Sequence, residues 1–440
     1  MTTAILLAAG LGTRMCSARP KALHGVAGRP MIAGLIASCE AAGFDRIVVV
    51  VGPGMEAVAQ AVSPHPVVVQ AERRGTAHAA LQAAHLFDAD DVAVLYADNP
   101  LIEPATLRAM TVRRAQGDAA LALLAMRPPE PGRYGRVIGR DGWVERIVEW
   151  VDATDAERGE KLCNAGVLCA AGPDMARWLA NVSADNAKGE HYLTDIVALA
   201  RAEGGRVAAV EAGWEELRGI NTRAELADAE AVVQGRLRAR AMAAGATMTA
   251  PETVFLSYDT RLGQDVTIGP HCVFGPGVVV ADDVDIRAFS HLEGCVVERG
   301  AVIGPYARLR PATLVGPGAH VGNFVELKAA TLGAGAKANH LSYIGDAIIG
   351  ARTNVGAGAI TCNYDGFSKH RTVVGEQAFI GSNAVLVAPV TIGDGAFVTA
   401  GSAITEDVAA GDMAFGRARQ SGKPGAGAAF AARRGRPKGT

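Results

Sequence analysis

Residues 1–225 alternate between short apolar runs and longer segments with helical periodicity. Arg46–Val51 and Asp91–Tyr96 are apolar runs of strand length, and turn-forming residues follow each of them. Met31–Ala42 has helical periodicity and stops at Gly43. This alternation predicts an α/β domain with a mostly parallel sheet and helices on both faces. In such a domain, a ligand site is expected at the carboxyl ends of the strands.

From residue 249 onward the period changes to six. An apolar or small residue recurs at every sixth position from Leu256 to Ile404, with three one-residue slips and one insertion after Thr361. Twenty-five positions keep this phase. A period of six fits neither an α-helix nor an ordinary strand, whereas hexapeptide repeats are typical of a parallel β-helix with three hexapeptides per coil. We therefore predict a β-helix over residues 249–420, joined to the first domain by a linker helix over 226–248.

The composition argues against several classes of protein. The 43 basic and 45 acidic residues leave a net charge of −2, which disfavours nucleic acid or an anionic membrane as a partner. No apolar run approaches the roughly 18 residues of a membrane span, and the N-terminus does not resemble a signal peptide. The seven cysteines form no C-x-x-C pair, which disfavours structural zinc and a disulfide scaffold. We expect a cytoplasmic protein with free thiols and a disordered basic tail over residues 421–440.

A glycine loop follows the first predicted strand. It reads G-L-G-T-R from Gly10 to Arg14, and Lys21 follows soon after. Met15 stands where the dinucleotide fingerprint needs a third glycine, and no P-loop is present, so both of those interpretations are disfavoured. Backbone N–H groups of such a loop can cradle phosphate while Arg14 and Lys21 neutralise it. Taken alone, the loop could equally be a tight turn with two surface cations.

Further motifs follow the loop in a fixed order. They are Leu7 to Arg14 with Lys21, then Gln70 with Gly75 and Thr76, then Tyr96, Ala97 and Asp98. This order closely resembles that of sugar-1-phosphate nucleotidylyltransferases. With the hexapeptide repeats, residues 3–420 resemble the bacterial family of bifunctional N-acetylglucosamine-1-phosphate uridylyltransferases and glucosamine-1-phosphate N-acetyltransferases. The resemblance implies a Rossmann-like nucleotidyltransferase domain, a left-handed parallel β-helix, and the use of UTP, acetyl-CoA and Mg²⁺.

The resemblance also implies roles for residues of the first domain. The nucleotide would be bound by Leu7, Ala8, Ala9, Gly10, Arg14, Lys21, Gln70, Gly75 and Thr76. The acetylated sugar phosphate would be bound by Tyr96, Gly135, Glu149, Asn164 and Asn221. Asp98 and Asn221 would hold Mg²⁺, a hard cation that takes oxygen ligands and few of them from protein. Gln70 could pair with uracil through both its carbonyl and its amide. No catalytic base is predicted, because this transfer needs mainly positioning and charge neutralisation.

The repeat register places side chains in the β-helix independently of any family. Arg310 and Lys328 are eighteen residues apart and should stack about 5 Å from each other in adjacent coils. Like charges at that spacing repel, and an anion such as a sugar phosphate between them would relieve the repulsion. Two solvated cations that splay apart are the alternative. The same register collects at one corner Arg310, Glu326, Lys328, His340 and Tyr343, with Asn323 beneath His340.

For this corner the resemblance implies acetyl transfer to glucosamine-1-phosphate. His340 would be the general base that deprotonates the 2-amino group, and Glu326 would orient or charge-stabilise His340. The sugar phosphate would be bound by Arg310, Lys328, Tyr343 and Asn354. Acetyl-CoA would be contacted by Asn363, Tyr364, Ser382, Ala400 and Arg417, with Arg419 as the alternative to Arg417.

Two other functions remain open at this point. One is a single-activity nucleotidylyltransferase whose β-helix is only a scaffold, and the other is a repeat protein with a nucleotide-sensing head. A scaffold has no need of His340 or of the stacked Arg310 and Lys328, and a sensor has no need of Lys21 and Asp98 in their motifs. Because hexapeptide acyltransferases form trimers, the resemblance also implies a homotrimer.

Overall fold

The computed structural model describes residues 2–87 and 90–434, and the chain divides after Leu237 into two compact units. The first unit contains a nine-stranded sheet, and the second contains three sheets of short strands. The helix Arg223–Ala243, which was predicted as the linker, passes through the point of division. Among the residues described, no helix is both long enough and apolar enough to cross a membrane.

The sheet of the first unit is centred on Thr3–Leu7. This strand pairs in parallel with Arg46–Val51 on one side and with Asp91–Tyr96 on the other, and all five of its residues are buried. Its alternate side chains enter two separate apolar cores, as expected for a strand covered on both faces. The strands in spatial order are Val67–Val69, Arg46–Val51, Thr3–Leu7, Asp91–Tyr96, Cys163–Ala171, Leu121–Met126, Val207–Glu211, Trp143–Val148 and Arg136–Arg140.

The helices follow the apolar periodicity of the sequence. Met31–Ala42 ends as predicted, because Gly43 adopts a left-handed conformation (φ 95°) and its N–H donates to the carbonyl of Glu40 at 3.0 Å. The other helices of this unit are Glu56–Ala61, Thr76–Gln82, Pro104–Ala115, Asp155–Arg158, Gly172–Asn181, Ile196–Ala202, Trp214–Leu217 and Arg223–Ala243. Short 3₁₀ turns occupy Thr13–Met15, Lys21–Leu23, Ala84–Leu86 and Leu193–Asp195, and a small hairpin joins Gly25–Val26 to Arg29–Pro30.

The prediction of a mostly parallel sheet is wrong, because the sheet is mixed. Arg136–Arg140 and Trp143–Val148 form an antiparallel hairpin, and the two residues between them both have positive φ. An Asp-Gly pair in that conformation makes a tight hairpin turn. Cys163–Ala171 then runs antiparallel to both of its main neighbours. The parallel half of the sheet carries the predicted glycine loop.

The second unit is a left-handed parallel β-helix with three faces. The first face comprises Thr247–Met248, Thr267–Ile268, Asp285–Ile286, Val302–Ile303, His320–Asn323, Lys337–His340, Asn354–Val355, Phe379–Ile380, Phe397–Val398 and Met413–Ala414. The second comprises Arg261–Leu262, Val279–Val280, Cys295–Val297, Thr313–Val315, Thr331–Leu332, Ala347–Ile349, Thr372–Val374 and Val390–Ile392. The third comprises Val273–Phe274, His291–Leu292, Arg308–Leu309, Glu326–Lys328, Tyr343–Gly345, Ile360–Cys362, Val385–Val387 and Ala403–Ile404. A 3₁₀ turn, Pro251–Thr253, precedes the first complete coil.

The predicted register of the coils is confirmed. Arg308 pairs with Glu326, Glu326 pairs with Tyr343, and Asn323 pairs with His340 in neighbouring coils. The apolar positions of the six-residue period point inward, and nearly all of them are buried. Strand spacing therefore converts sequence distance directly into spatial distance along the β-helix.

The basic tail differs from its prediction. A helix covers Ala426–Arg434, within the segment expected to be disordered. Five of its nine residues are alanine, which has the highest helix propensity of any residue. The last part of the predicted tail, residues 435–440, lies outside the described residues.

Candidate active sites

A cavity of about 380 Å³ opens at the carboxyl ends of Thr3–Leu7 and Asp91–Tyr96. We call it the nucleotide cavity. Of the residues predicted to hold the nucleotide, all except Arg14 line it. Arg73 and Glu190 also line it, although no sequence motif pointed to them. The full lining is Leu7, Ala8, Ala9, Gly10, Lys21, Ala22, Gln70, Arg73, Gly75, Thr76, Ala79, Tyr96, Ala97, Asp98 and Glu190.

One wall of the nucleotide cavity requires glycine. Gly75 has a φ of 117°, and a Cβ there would lie 2.5 Å from the carbonyl oxygen of His191. The adjacent Thr76 opens a helix, and its Oγ1 accepts a hydrogen bond from the N–H of Leu193 at 2.9 Å. The segment around residue 191 therefore supports the Gly75–Thr76 wall from behind.

Opposite charges meet at one point of this cavity. The ammonium of Lys21 contacts the carboxylate of Asp98 and also lies 3.0 Å from the Oδ1 of Asn221. Arg14 donates to the same Asn221 oxygen at 2.8 Å. Arg14, which does not line the cavity, therefore shares Asn221 with Lys21, which does line it.

The oxygens of Asp98 and Asn221 fit a divalent cation. Both contact the same ammonium group of Lys21, so they face one common cation position. Among the described residues, no three or more His, Cys, Asp or Glu side chains gather as a metal cluster. One carboxylate and one amide oxygen suit Mg²⁺, which usually takes few protein ligands and completes its shell with water or phosphate oxygens.

A second cavity of about 240 Å³ adjoins the first and shares Tyr96 and Asp98 with it. We call it the sugar cavity. It brings together every residue predicted to bind the sugar phosphate, and it adds Arg133 and Tyr134, which the sequence interpretation missed. The signal that could have found them is their position directly before Gly135. Its lining is Tyr96, Asp98, Asn99, Arg133, Tyr134, Gly135, Glu149, Asn164, Ala165, Gly166, Leu217, Gly219 and Asn221.

Tyr96 forms the shared wall between the two cavities. Gly166 has a φ of 78°, and a Cβ there would come within 2.1 Å of the Tyr96 ring, so only glycine leaves room for the ring. Burial raises the pKa of the Tyr96 hydroxyl, which stays neutral. Burial also raises the pKa of Glu149, although the hydroxyl of Thr194 donates to its Oε1 at 3.2 Å.

In the β-helix, His340 is exposed at the end of Lys337–His340. Its Nδ1 lies 2.8 Å from the Oδ1 of Asn323 in the preceding coil. Since an amide oxygen only accepts, this contact places the proton on Nδ1 and leaves a lone pair on Nε2. Nε2 is thereby the nitrogen that could take up a proton.

Glu326 contacts a different side chain from the His340 that it was predicted to orient. Its Oε1 accepts a hydrogen bond from Arg310 Nη1 at 2.9 Å, and Asn323 is the residue that contacts the imidazole of His340. The side chain of Arg310 extends to the next coil, where its guanidinium forms an ion pair with the carboxylate of Glu326. Glu326 therefore holds Arg310 in place, while Asn323 orients His340.

The predicted repulsion between Arg310 and Lys328 is also resolved differently. Glu326 neutralises Arg310, whereas Lys328 faces Lys369 from the insertion after Thr361. The nearby ammonium of Lys328 lowers the pKa of Lys369. The positive charges of Lys328 and Lys369 therefore lie close together, with the carboxylate of Asp346 as an acidic neighbour. Sequence phase could not reveal Lys369, because the insertion lies outside the repeat.

The insertion folds over this corner as an ordered loop. Asp365 accepts hydrogen bonds from the N–H groups of Phe367 and Ser368, at 2.8 and 2.7 Å, and these bonds lower the pKa of its carboxyl. Asn363 is buried and contacts the carboxylate of Asp346. Tyr364 is exposed, and its hydroxyl donates to the carbonyl of Gly366 at 2.6 Å.

The remaining predicted residues follow one corner of the β-helix. The carbonyl of Ser382 accepts from the N–H of Gly401 at 2.8 Å, next to Ala400 in the following coil. A Cβ at Gly401 would lie 3.8 Å from the Cδ of Arg417. Ser382, Ala400 and Arg417 thus occupy successive coils. Asn354 lies on the first face, one coil beyond Lys337.

Comparisons with known proteins agree with this architecture. Residues 4–213 match the MobA-like NTP transferase domain, and residues 259–294 and 371–406 match the bacterial transferase hexapeptide family of six repeats. A protein from Acidiphilium cryptum, named Bifunctional protein GlmU, is 64% identical over 97% of this chain and 97% of its own length. A protein of the same name from Gluconacetobacter diazotrophicus is 64% identical over 98% of this chain and 94% of its own. Another, from Azorhizobium caulinodans, is 54% identical over 99% and 98%. The chain therefore belongs to the family of bifunctional GlmU proteins.

Proposed function

We propose that this bifunctional enzyme makes UDP-N-acetylglucosamine in two steps, one in each unit. The β-helix acetylates glucosamine-1-phosphate with acetyl-CoA, and the first unit then transfers UMP from UTP to N-acetylglucosamine-1-phosphate with release of pyrophosphate. The observation that carries the second step is the pair of cavities sharing Tyr96 and Asp98, one for the nucleotide and one for the sugar. Two adjoining cavities suit a reaction that joins two phosphorylated substrates.

Uridylyl transfer rests on positioning and charge. Leu7, Ala8, Ala9, Gly10, Gln70, Gly75 and Thr76 would hold the nucleoside, and Tyr96, Gly135, Glu149 and Asn164 the sugar. Arg14 and Lys21 would bind the triphosphate, which displaces Lys21 from Asp98 and Asn221. Mg²⁺ bound by Asp98 and Asn221 would supply charge neutralisation. No base is required, because a sugar phosphate is already an anionic nucleophile at neutral pH.

Acetyl transfer rests on His340. With its Nδ1 proton donated to Asn323, the Nε2 of His340 can accept a proton from the 2-amino group as that amine attacks the thioester carbonyl. The carbon–sulfur bond would then break, and coenzyme A would take up this proton and leave as the free thiol. Arg310, Lys328 and Lys369 would hold the phosphate, with Tyr343 and Asn354 at the sugar. Asn363, Tyr364, Ser382, Ala400 and Arg417 would contact acetyl-CoA, and the guanidinium of Arg417 suits a phosphate. We assign Glu326 the task of fixing Arg310.

We further propose a cytoplasmic homotrimer. All seven cysteines are free thiols, which suits a reducing compartment. The β-helix exposes a line of aromatic side chains beside His340, which suits contact with further copies of the chain.

The test is to mix the protein with acetyl-CoA and glucosamine-1-phosphate, omit UTP, and follow release of free thiol. Rapid release is expected. In a separate reaction, UTP and N-acetylglucosamine-1-phosphate should release pyrophosphate. Pyrophosphate release without thiol release would reduce the β-helix to a scaffold. If neither pyrophosphate nor free thiol is released, both proposed steps are contradicted.

A further inference from the structure

A histidine stands directly behind Gln70. His78 lies on the helix Thr76–Gln82, and its Nδ1 is 3.1 Å from the Nε2 of Gln70. Gln70 is only 3% exposed and lines the nucleotide cavity. We propose that His78 is a positioning residue that sets the base specificity of the nucleotide site, by holding the Gln70 amide so that its carbonyl oxygen alone faces the base. The proposal rests on the proposed uridylyl transfer, in which Gln70 contacts the base.

The orientation of the Gln70 amide follows from a neighbour that can only accept. Its Nε2 is 3.1 Å from the carbonyl oxygen of Gly75, as well as 3.1 Å from His78. A rotated amide would set its own oxygen against the Gly75 oxygen, acceptor against acceptor. Both amide hydrogens are therefore engaged by protein. Within residues 2–87 and 90–434, no protein donor is bonded to the Oε1 of Gln70, so this oxygen is left for a ligand.

His78 can accept from Gln70 only as a neutral imidazole with its proton on Nε2. A neutral imidazole has one acceptor nitrogen, and the closer amide contact identifies it as Nδ1. On the other side of the ring, the Nε2 of Gln82 lies 3.3 Å from His78 Nε2, and it also donates to the carbonyl of His78 at 3.0 Å. Because Nε2 carries the proton in this tautomer, the 3.3 Å approach of the Gln82 nitrogen joins two donors and is not a hydrogen bond, and the amide of Gln82 is held by the backbone carbonyl of His78.

The charges around His78 keep the ring neutral. His191 lies with its ring centroid 6.3 Å away, and Arg74 and Glu72 act from the preceding loop. Burial, followed by the positive charges of Arg74 and His191, lowers the pKa of His78, and this outweighs the opposing effect of Glu72. Protonation would turn Nδ1 into a donor facing the Gln70 N–H, which would break the contact.

A lone acceptor in the cavity discriminates among pyrimidines. Uracil presents a donor at N3, and the Oε1 of Gln70 can accept from it. Cytosine presents an acceptor at N3, so two acceptors would face each other in a water-poor pocket. A site built to hydrogen-bond one group rejects an analogue that lacks it far more strongly than an apolar pocket can. The sequence predicted that Gln70 pairs with uracil through both its carbonyl and its amide. In this proposal only the carbonyl oxygen of Gln70 contacts uracil, because protein groups engage the amide hydrogens.

The test compares two substitutions at the same position. His78→Asn keeps an acceptor oxygen close to the place of Nδ1, and His78→Leu removes it. His85→Leu, at an exposed histidine on the same segment, is the control. The readout is kcat/KM for pyrophosphate release with UTP and with CTP. We expect His78→Leu to lower the preference for UTP by about tenfold or more, mainly through KM for UTP, and His78→Asn to keep it within about threefold.

The wild-type enzyme offers a second measurement that needs no variant. Its preference for UTP over CTP should fall as the pH drops through the pKa of His78, which lies below that of an ordinary histidine, and this dependence should be absent in His78→Asn. A His78→Leu enzyme with the wild-type preference overturns the assignment. Equal losses with both nucleotides in both variants also overturn it, because they indicate a packing role. Wild-type protein that releases no pyrophosphate from UTP contradicts the proposed function instead.

Discussion

At the scale of single residues, Asp98 and Lys21 form an ion pair at the place where the substrates and Mg²⁺ are proposed to bind. The Asp98 carboxylate is neutralised by Lys21 and lies beside Asn221. We expect Asp98→Asn to lower UDP-sugar formation by about 10²–10³-fold, because the proposed Mg²⁺ site would lose its carboxylate ligand. Pyrophosphate release measures this effect. Acetyl transfer should be unchanged, and Asp118→Asn, at an exposed aspartate of the same unit, is the control. Near-normal UDP-sugar formation would remove Asp98 from the metal role.

In the proposed acetyl transfer, His340 and Asn323 act in proton transfer, whereas Glu326 acts in phosphate binding through Arg310. His340→Ala should lower acetyl transfer by about 10²–10⁴-fold, because it removes the proposed general base. Asn323→Leu should lower kcat and change its pH profile, since the Nδ1 proton loses its acceptor. Glu326→Gln should instead raise KM for glucosamine-1-phosphate, since it weakens the hold on Arg310. Thiol release at several pH values measures all three. If Glu326→Gln changes the pH profile and Asn323→Leu does not, the sequence-based role of Glu326 is right after all.

These contacts also show what can be predicted from sequence at this scale. The six-residue phase places Asn323 beside His340, because the spacing between coils is constant. It does not say whether the side chain of Glu326 turns toward His340 or toward Arg310, since the register fixes the position of the backbone and not the direction of the side chain. Lys369 escapes prediction because the insertion is out of phase with the repeat. His78 escapes because its partner Gln70 is eight residues away, across a loop.

At the scale of elements, the 3₁₀ turn Leu193–Asp195 ties the two cavities of the first unit together. Leu193 donates to Thr76 at the nucleotide wall, and Thr194 donates to Glu149 at the sugar wall. Burial, with help from Glu149 and Asp152, raises the pKa of Asp195 to about 6. The folded state therefore binds this proton more tightly than the unfolded chain does.

The raised pKa of Asp195 predicts the pH dependence of stability. The contribution of Asp195 protonation to the free energy of unfolding is complete below about pH 4, where the carboxyl is protonated in the folded and the unfolded state. This contribution is lost as the pH rises through about 6, the pKa in the folded state. Asp195→Asn should therefore raise the Tm of the first unit by about 2–4 °C at pH 7–8 and by nothing at pH 4. Thermal unfolding across this range measures the difference, with the exposed Asp185→Asn as control. If the Tm of the Asp195→Asn protein differs from that of the wild type by the same amount at all pH values, titration of Asp195 is not the source of the difference.

The elements themselves were predictable wherever one signal dominates. Met31–Ala42, Arg46–Val51 and Asp91–Tyr96 have the bounds read from the sequence. The order of the strands in the sheet was not predictable from the sequence. The Asp141–Gly142 turn reverses the chain, and Cys163–Ala171 then enters the sheet antiparallel to its neighbours. A local turn signal carries no information on which distant strand the returning chain will join.

At the scale of the whole molecule, one corner of the β-helix carries a stack of aromatic rings. The ring centroids of Phe289, Tyr306 and Phe324 follow one another at 4.8 and 5.1 Å, and these side chains are about half exposed, between 46% and 55%. Leu341 continues the line and is 62% exposed, next to His340. A contiguous exposed apolar stripe of this kind is a feature of surfaces that bind another protein. In a homotrimer a second copy would cover it, and His340 would then lie at an interface.

This assembly predicts that one substitution separates the two activities. Phe324→Glu introduces a charge into the stripe, so it should dissociate the trimer and abolish thiol release, while pyrophosphate release from UTP persists. Light scattering should report three times 45.3 kDa for the wild type and 45.3 kDa for the variant. Val112→Glu, at an exposed apolar residue of the first unit, should leave mass and both activities unchanged. A wild-type monomer with full acetyl transfer would contradict the trimer. A trimeric, active Phe324→Glu enzyme would move the interface to another face of the β-helix.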